Sequence, residues 1–289
     1  MEDPQWPELP APANWARTRH TVHMFAQIVG KVRMKLAPPE PQWNHVPLYL
    51  TSRGMTTTPI PQAGGTFQVD FDFIDHVLYV ASSDGRVKKI DLASQSVATF
   101  YAAFMDALRD LGVHATISTV PSEVPNPVKF TDDAEASYER EHVGSWWRSL
   151  VVADSIFKEH RAPFLKRQSQ VIFYWGSFDL AYARFSGSAA PPPPNADSIT
   201  RVAMDAQEVS AGFWPGDDRY PAAAFYCYAY PKPAGIESAS IGPDGAHWNE
   251  KLGEFVLPYD EARRAESPRA AVLEFLTRTF DAGARLGGW

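Results

Sequence analysis

Hydrophobic side chains recur every three or four positions in four segments, the spacing that aligns them along one face of an α-helix. The clearest segment is 97–111, where Ser96 is placed to cap the start and Gly112 to end the helix. The same spacing predicts helices over residues 14–29, residues 139–161 and a final segment that begins at Ser267 and Pro268.

Between these helices apolar and polar residues alternate, which is typical of β-strands with one buried face. In residues 67–73 every second residue is apolar, and the turn-forming residues 83–85 separate two further strands. This region therefore predicts an antiparallel meander. Later predicted strands cover residues 113–120, 170–175, 178–185, 201–210, 224–230 and 254–257.

The order of these elements predicts an α+β fold with two similar halves. Each half is expected to contain a helix, an antiparallel β-meander and a second helix, with its sheet packed against the helices. The N-terminal half covers residues 1–120 and the C-terminal half residues 121–289. We expect the two halves to form one compact unit, although their residue identity is too weak to prove a duplication.

The composition is that of an ordinary globular protein, since 45% of the 289 residues are hydrophobic and 21% are charged. The formal net charge of −7 and the absence of a basic run argue against a nucleic-acid partner. Lys31, Arg33 and Lys35 alternate with apolar residues and predict one solvated strand face rather than a track for phosphates.

The chain has one cysteine, Cys227, so an intrachain disulfide is excluded, and its apolar surroundings favour a buried side chain. The N-terminal residues lack the apolar stretch of a signal peptide. No run of about 18 apolar residues predicts a membrane span. We therefore expect a cytoplasmic protein without a membrane partner, and nothing in the pattern specifies an oligomeric state.

The common motifs of nucleotide binding, serine hydrolysis and zinc proteolysis are absent from the sequence. Residues 155–158 match Ser-x-x-Lys, but the companion motifs of that chemistry are missing. We expect no organic cofactor.

Aromatic residues are concentrated between positions 171 and 230, which contain thirteen of the 37 in the chain. Such a cluster is typical either of the core of a wide sheet or of the wall of an apolar ligand pocket. If it is a pocket, we expect Trp175, Trp214 and Tyr228 to line it. Each combines an apolar ring with a polar tip and lies beside other candidate residues.

Two carboxylates lie within this aromatic region. Glu208 is near the end of a predicted strand, close to Trp214 and a Gly/Pro turn, where apolar neighbours would raise its pKa. Asp179 and Arg184 lie in an apolar strand and need polar partners, either in a structural pair or in a site. A structural salt bridge is the alternative for Glu208.

Asp70 and Asp72 share one face of a predicted strand, which suits acid/base chemistry if water is excluded. A solvated strand face is the alternative. His45 and His76 lie on neighbouring predicted strands, so a metal site with these two aspartates is a further alternative.

The chain resembles a family of bacterial proteins of about this length that has no established function. The resemblance covers nearly the whole chain and rests on WPELP at 6–10, HM at 23–24, QIVGK at 27–31, HVPLY at 45–49, TPIP at 58–61, FDFIDH at 71–76, WGSFDL at 175–180, RFSG at 184–187, EVSAGFWPG at 208–216 and YAYP at 228–231. It implies a fold of its own kind and no particular substrate. The family often carries histidines where this chain has Gln207 and Ala136, which puts any role of those positions in doubt here.

These observations favour an acid/base enzyme of the isomerase, cyclase, lyase or hydrolase type, acting on a small, largely apolar molecule without a cofactor or a metal. The expected partner is therefore a small-molecule substrate or ligand. The candidate catalytic residues are Glu208, Asp72, His45 and Asp179. The candidate substrate-binding residues are Arg184, Trp175, Trp214, Tyr228 and His76.

Three other functions are compatible with the same residues. The first is a non-catalytic small-molecule binder that uses the aromatic pocket. The second is a metal-dependent hydrolase with His45, His76, Asp70 and Asp72 as ligands. The third is an interaction protein that exposes its aromatic residues to a protein partner.

Overall fold

A computed structural model describes residues 6–196, 198–217 and 219–289. The N-terminal half contains helix α1 (Pro12–Leu36), strands β1 (Tyr49–Leu50), β2 (Gly54–Thr56), β3 (Ile60–Gln62), β4 (Gly65–Asp72), β5 (Val77–Ser82) and β6 (Val87–Asp91), and helix α2 (Val97–Asp110). The C-terminal half contains α3 (Arg140–Arg161), β7 (Ile172–Tyr174), β8 (Asp179–Ala189), α4 (Ser198–Ala203), β9 (Ala206–Trp214), β10 (Ala224–Tyr230), β11 (His247–Asn249), β12 (Glu254–Pro258), α5 (Tyr259–Arg264) and α6 (Pro268–Leu286).

The strands form two antiparallel sheets, each of six strands in the described residues. The first sheet has the order β1-β2-β4-β5-β6, with β3 also paired to β4. The second has the order β11-β12-β10-β9-β8-β7. Helices precede and follow each sheet in the chain, so the predicted α+β class, with a helix, a meander and a helix in each half, is confirmed.

Local signals placed several boundaries correctly. The Ser96 hydroxyl accepts a hydrogen bond from the backbone N–H of Thr99 at 3.0 Å and caps α2. Gly112 follows α2 with φ +79°, a conformation that favours glycine. Ser267 precedes α6, but its side chain makes no capping hydrogen bond.

Three predicted elements differ in the structure. The predicted strand 113–120 is irregular, since prolines follow it at 121 and 125 and no strand among the described residues pairs with it. The predicted strand 201–210 is divided between the end of α4 and the start of β9.

The third difference is in α1, which continues past residue 29 to Leu36, so Lys31 and Arg33 are helical and buried rather than on a solvated strand face. The Lys31 ammonium donates to the Ser122 hydroxyl at 2.8 Å, and Arg33 Nη1 donates to the Thr58 hydroxyl at 3.1 Å. These partners are distant in sequence, so a local alternation of charge could not reveal them.

Trp146, on α3, lies where the two halves of the chain meet and is fully buried. Its ring stacks on Phe178 with a centroid distance of 4.9 Å. Trp15 and Phe73 from the N-terminal half and Phe173 from the C-terminal half pack around it at 5.5 to 6.5 Å. One hydrophobic cluster therefore includes α1, α3 and both sheets.

The second sheet has two different faces. One face packs closely against α6. A Cβ atom added to Gly283 of α6 would lie only 2.9 Å from Val209 Cγ2, so the helix can approach the sheet this closely because Gly283 has no side chain. The opposite face bears the residues of the candidate site. None of the helices in the described residues is long and apolar enough to cross a membrane.

Candidate functional site

The face of the second sheet that is turned away from α6 forms the floor of a cavity of about 360 Å³. Side chains along a strand point alternately to the two faces of the sheet, so every second residue of β8, β9 and β10 points into this cavity. The floor includes Asp179, Glu208, Ser210, Trp214, Tyr226 and Tyr228.

Glu208 on β9 is a buried carboxylate at one end of this floor, with 6% of its surface exposed. Burial raises its pKa to about 7, the charge of Asp205 adds to the rise, and a hydrogen bond with Tyr228 opposes it. The carboxylate is therefore partly protonated near neutral pH and can either donate or accept a proton.

Asp179 on β8 lies at the other end of the floor and is 5% exposed. The Ser177 hydroxyl donates to its Oδ1 at 2.5 Å, and the Tyr226 hydroxyl donates to its Oδ2. Burial raises the pKa of Asp179 in spite of these hydrogen bonds. Tyr226 lies across Gly212, where a Cβ atom would come within 2.4 Å of the phenol oxygen.

Glu254, the first residue of β12, lines the same cavity. Burial raises its pKa to about 7, and the nearby charge of Asp179 adds to the rise while Arg219 opposes it. Asp179 and Glu254 therefore form an interacting pair of carboxylates, in which the proton affinity of one depends on the charge of the other.

The polar groups occupy two separate ends of an elongated floor. Phe185 pairs with Glu208 in the sheet, and Asp179 lies six residues before Phe185 on the same strand, roughly 20 Å away along the strand. Tyr174 is 39% exposed. Desolvation of its phenol and then the charges of Glu208 and Asp179 raise its pKa, so it lies within the influence of both carboxylates. The geometry supports two polar subsites rather than one catalytic dyad.

Arg219 supplies positive charge at the rim of the cavity. Its guanidinium group forms an ion pair with Asp217 at 2.7 Å and lies 5.7 Å from the ring centroid of Trp214. The side chain is 65% exposed, so this ion pair is accessible to water.

Asp72, a predicted catalytic residue, lies at the end of β4 in the first sheet and does not line the cavity. Arg53 Nε donates to its Oδ2 at 2.5 Å, and the backbone N–H groups of Ile74 and Asp75 donate to its Oδ1 at 2.9 Å. Burial raises the pKa of Asp72, but these contacts outweigh it and the pKa is lowered overall. Asp72 therefore holds the turn after β4.

We expect Asp72→Ala to lower the free energy of unfolding by about 1–2 kcal/mol at pH 7, through loss of a buried acceptor of three hydrogen bonds. The pKa is depressed in the folded state, so this contribution is present above the ordinary value of 3.8 and is lost as the pH falls below it. Urea unfolding at pH 7 and pH 3 measures the difference. Asp70→Ala, two residues earlier, is the control and should change stability by less than about 0.5 kcal/mol. Equal effects of the two substitutions would contradict the assignment.

The two predicted histidines also have structural partners outside the cavity and do not line it. His45 Nδ1 accepts a hydrogen bond from the backbone N–H of Glu40 at 3.1 Å, and its ring stacks on Trp43. His76 Nδ1 lies 2.9 Å from the Tyr138 hydroxyl. Burial lowers the pKa of both rings, so both histidines are neutral at pH 7.

Trp175 and Arg184, predicted to bind substrate, lie in the core. Trp175 is 3% exposed, and its indole N–H donates to a backbone carbonyl at 2.9 Å. Arg184 is directed to the sheet face opposite Asp179, because the two differ by an odd number of positions on one strand. Its guanidinium group lies 4.8 Å from the ring centroid of Phe164 and 4.4 Å from that of Phe280.

The predicted metal ligands are not brought together. Within residues 6–196, 198–217 and 219–289, no three His, Cys, Asp or Glu side chains are close enough to hold a metal ion. His45, His76, Asp70 and Asp72 therefore form no metal site in this arrangement.

The structure thus places Glu208, Asp179, Trp214 and Tyr228 around one cavity, and adds residues that the sequence analysis did not select: Glu254, Tyr226, Tyr174 and Arg219. The sequence contained a signal for Tyr226, because it lies two positions before Tyr228 on one strand and the two side chains therefore point to the same face. Glu254 carried no such signal, since only the pairing of β12 with β10 brings it to this face.

No curated protein and no solved structure gives a significant match to the chain. The profile of a family of unknown function, DUF5996, matches residues 6–289. The match includes both halves and every residue of the cavity, and the chain therefore belongs to the DUF5996 family.

Proposed function

We propose that this protein is an acid/base enzyme that acts on a small molecule in the cavity of the second sheet and needs no organic cofactor. Isomerisation, cyclisation, elimination and hydrolysis are the reaction types that such proton transfer serves. The observation that carries the proposal is Glu208, a carboxylate buried in the wall of this cavity with a pKa of about 7.

A carboxylate with this pKa is suited to proton transfer at neutral pH, because both of its protonation states are well populated. The phenol of Tyr228 keeps its proton, since burial and the charge of Glu208 raise its pKa well above 10. It can therefore donate a hydrogen bond to Glu208 or to an oxygen on the substrate where negative charge develops.

The second end of the cavity supports binding and orientation of the substrate. Asp179 and Glu254 lie there with the Tyr226 hydroxyl, and Arg219 stands at the rim. The aromatic rings of Phe185 and Trp214 supply apolar surface. A substrate with an apolar body and a polar group at each end fits this distribution.

Incubation of the purified protein with a bacterial metabolite extract tests this proposal. We expect mass spectrometry to detect a metabolite that wild-type protein depletes, with a product of equal mass or one that differs by water. Glu208→Gln preserves the shape of the side chain but cannot exchange a proton at neutral pH, so it should deplete that metabolite far more slowly than wild-type protein.

Asp205→Asn is the matched control, because Asp205 is exposed and acts on Glu208 only through its charge. This variant should retain turnover. Equal turnover by wild-type and Glu208→Gln protein would contradict the proposal. A ligand that wild-type protein retains but never converts would instead support a non-catalytic binding protein using the same cavity.

A further inference from the structure

A second cavity, of about 490 Å³, lies between the C-terminal parts of α1 and α3 and the strands β1 and β2. It shares no lining residue with the candidate active site. Its charged lining residues are Arg33, Lys158, Arg161, Glu40 and Asp154. Neither the family match nor the proposed function assigns a role to this cavity.

Arg33 is a buried cation in its wall, with 4% of its surface exposed. Its Nη1 donates to Thr58, and its guanidinium group lies 5.4 Å from the ring centroid of Tyr49. Its buried Nε has no hydrogen-bond partner, and no carboxylate in the described part of the chain forms an ion pair with it. The charge of Glu40 acts on Arg33 without a contact ion pair. A buried guanidinium group without such a pair is costly, and a bound anion would offset that cost.

Arg161, the last residue of α3, presents a second donor of the same kind. Its Nε is also buried and has no partner among the residues that the structure describes. The carbonyl oxygen of Arg161 accepts a hydrogen bond from Gln168 Nε2 at 3.1 Å, and Arg184 Nη2 donates to that of His160. These contacts reduce the negative potential that the end of α3 would otherwise direct at an anion.

The remaining charges leave both arginines available. Lys158 forms an ion pair with Asp154 at 2.6 Å, and the charge of Asp154 also acts on Arg161 without a contact ion pair. Glu40 is exposed and makes no ion pair with Arg33 or Arg161. The lining of the cavity therefore has a net positive charge, and it includes two arginines from different helices whose buried Nε atoms have no hydrogen-bond partner in the described residues.

We propose that this cavity binds the phosphate group of a small phosphorylated molecule, held between Arg33 and Arg161. A tetrahedral phosphate presents oxygens in several directions, so it can accept hydrogen bonds from two guanidinium groups on separate elements. A planar carboxylate is better matched to the fork of a single arginine. The negative charge of phosphate also matches the net positive charge of the lining residues.

Isothermal titration calorimetry of the full-length protein with inorganic phosphate at pH 8 and low salt tests this site. Wild-type protein should bind one phosphate with a saturable isotherm. Arg161→Gln should weaken the affinity by about tenfold or more, because it removes charge-assisted hydrogen bonds. Glu40→Gln should tighten binding by about two- to fivefold, because it removes a repulsive charge from the wall.

Lys166→Gln is the matched control, since Lys166 is exposed, lies near α3 in the chain and does not line the cavity. This variant should bind phosphate within about twofold of wild type. Tighter binding by Glu40→Gln cannot result from misfolding, so it tests the proposal even if Arg161→Gln is unstable. Absence of saturable binding, equal affinities of Arg161→Gln and Lys166→Gln, or binding of acetate as tight as that of phosphate would each overturn the proposal.

Discussion

Replacing Glu208 with glutamine should lower turnover by about 10²–10⁴-fold, the usual contribution of a general acid or base. The rate of wild-type protein should change with pH around the pKa of about 7, whereas the residual rate of Glu208→Gln should not follow that titration. The measurement is conversion of the metabolite identified in the extract experiment, between pH 5 and pH 9. A wild-type profile that is flat across pH 7 would contradict a role for Glu208 in proton transfer.

The same substitution should increase stability at alkaline pH. The native state holds the Glu208 proton more tightly than the unfolded chain, because its pKa is raised from 4.5 to about 7. This contribution to stability is complete below about pH 4.5 and is lost as the pH rises through 7. Glutamine carries no charge, so the free energy of unfolding of Glu208→Gln should exceed that of wild type by at most about 3 kcal/mol at pH 8. The two values should differ little at pH 5.

Urea unfolding at pH 5 and pH 8 measures this effect without knowledge of the substrate. Glu254→Gln is the natural comparison, because burial also raises the pKa of Glu254 to about 7. Both variants should gain stability at pH 8. A loss of stability for Glu208→Gln at both pH values would indicate that the carboxylate is held in a structural ion pair instead.

Replacing Trp146 with alanine should lower the free energy of unfolding by about 3–5 kcal/mol, the usual cost of truncating a fully buried aromatic residue. Trp146 is 0% exposed and contacts Trp15, Phe73, Phe173 and Phe178. Its truncation would therefore leave a void between the two halves of the chain. Because the same cluster includes both sheets, we expect one cooperative transition rather than two.

Denaturant unfolding followed by far-ultraviolet circular dichroism and by tryptophan fluorescence measures this effect. Trp146→Phe is the control, and it should cost less than the alanine variant because the ring contacts are largely kept. Val151→Ala, at an exposed position on the same helix, should change stability by less than about 0.5 kcal/mol. Two separate transitions in Trp146→Ala would show that the halves fold independently.

Prediction from the sequence was most accurate where local geometry decides the structure. The predicted helix 97–111 matches α2 (Val97–Asp110), and the predicted strand 224–230 matches β10 (Ala224–Tyr230). Both follow from a clear period of apolar residues and from residues that terminate the element. The predicted strand 113–120 failed because strand formation requires a partner, which periodicity within one segment cannot reveal.

The predicted site residues that the structure places around the cavity all lie in the second sheet. Glu208 and Tyr228 were selected for their strand positions among aromatic residues, and both line the cavity. Asp72 was selected because it shares a strand face with Asp70, yet its carboxylate is held by Arg53, nineteen residues earlier in the chain. The chemistry of a carboxylate depends on which charges and hydrogen-bond donors lie within a few ångströms, and the sequence does not specify those neighbours.

By itself, the sequence determined the α+β class, the alternation of faces along β8, β9 and β10, and the apolar surroundings of Glu208, because these depend on residues adjacent in the chain. Only the tertiary structure decided that Glu254 lies within the influence of Asp179, that Tyr226 crosses Gly212, and that Arg33 is buried with an unpartnered Nε. These features depend on packing between distant segments, where exclusion of water and the distance between charges set the energies.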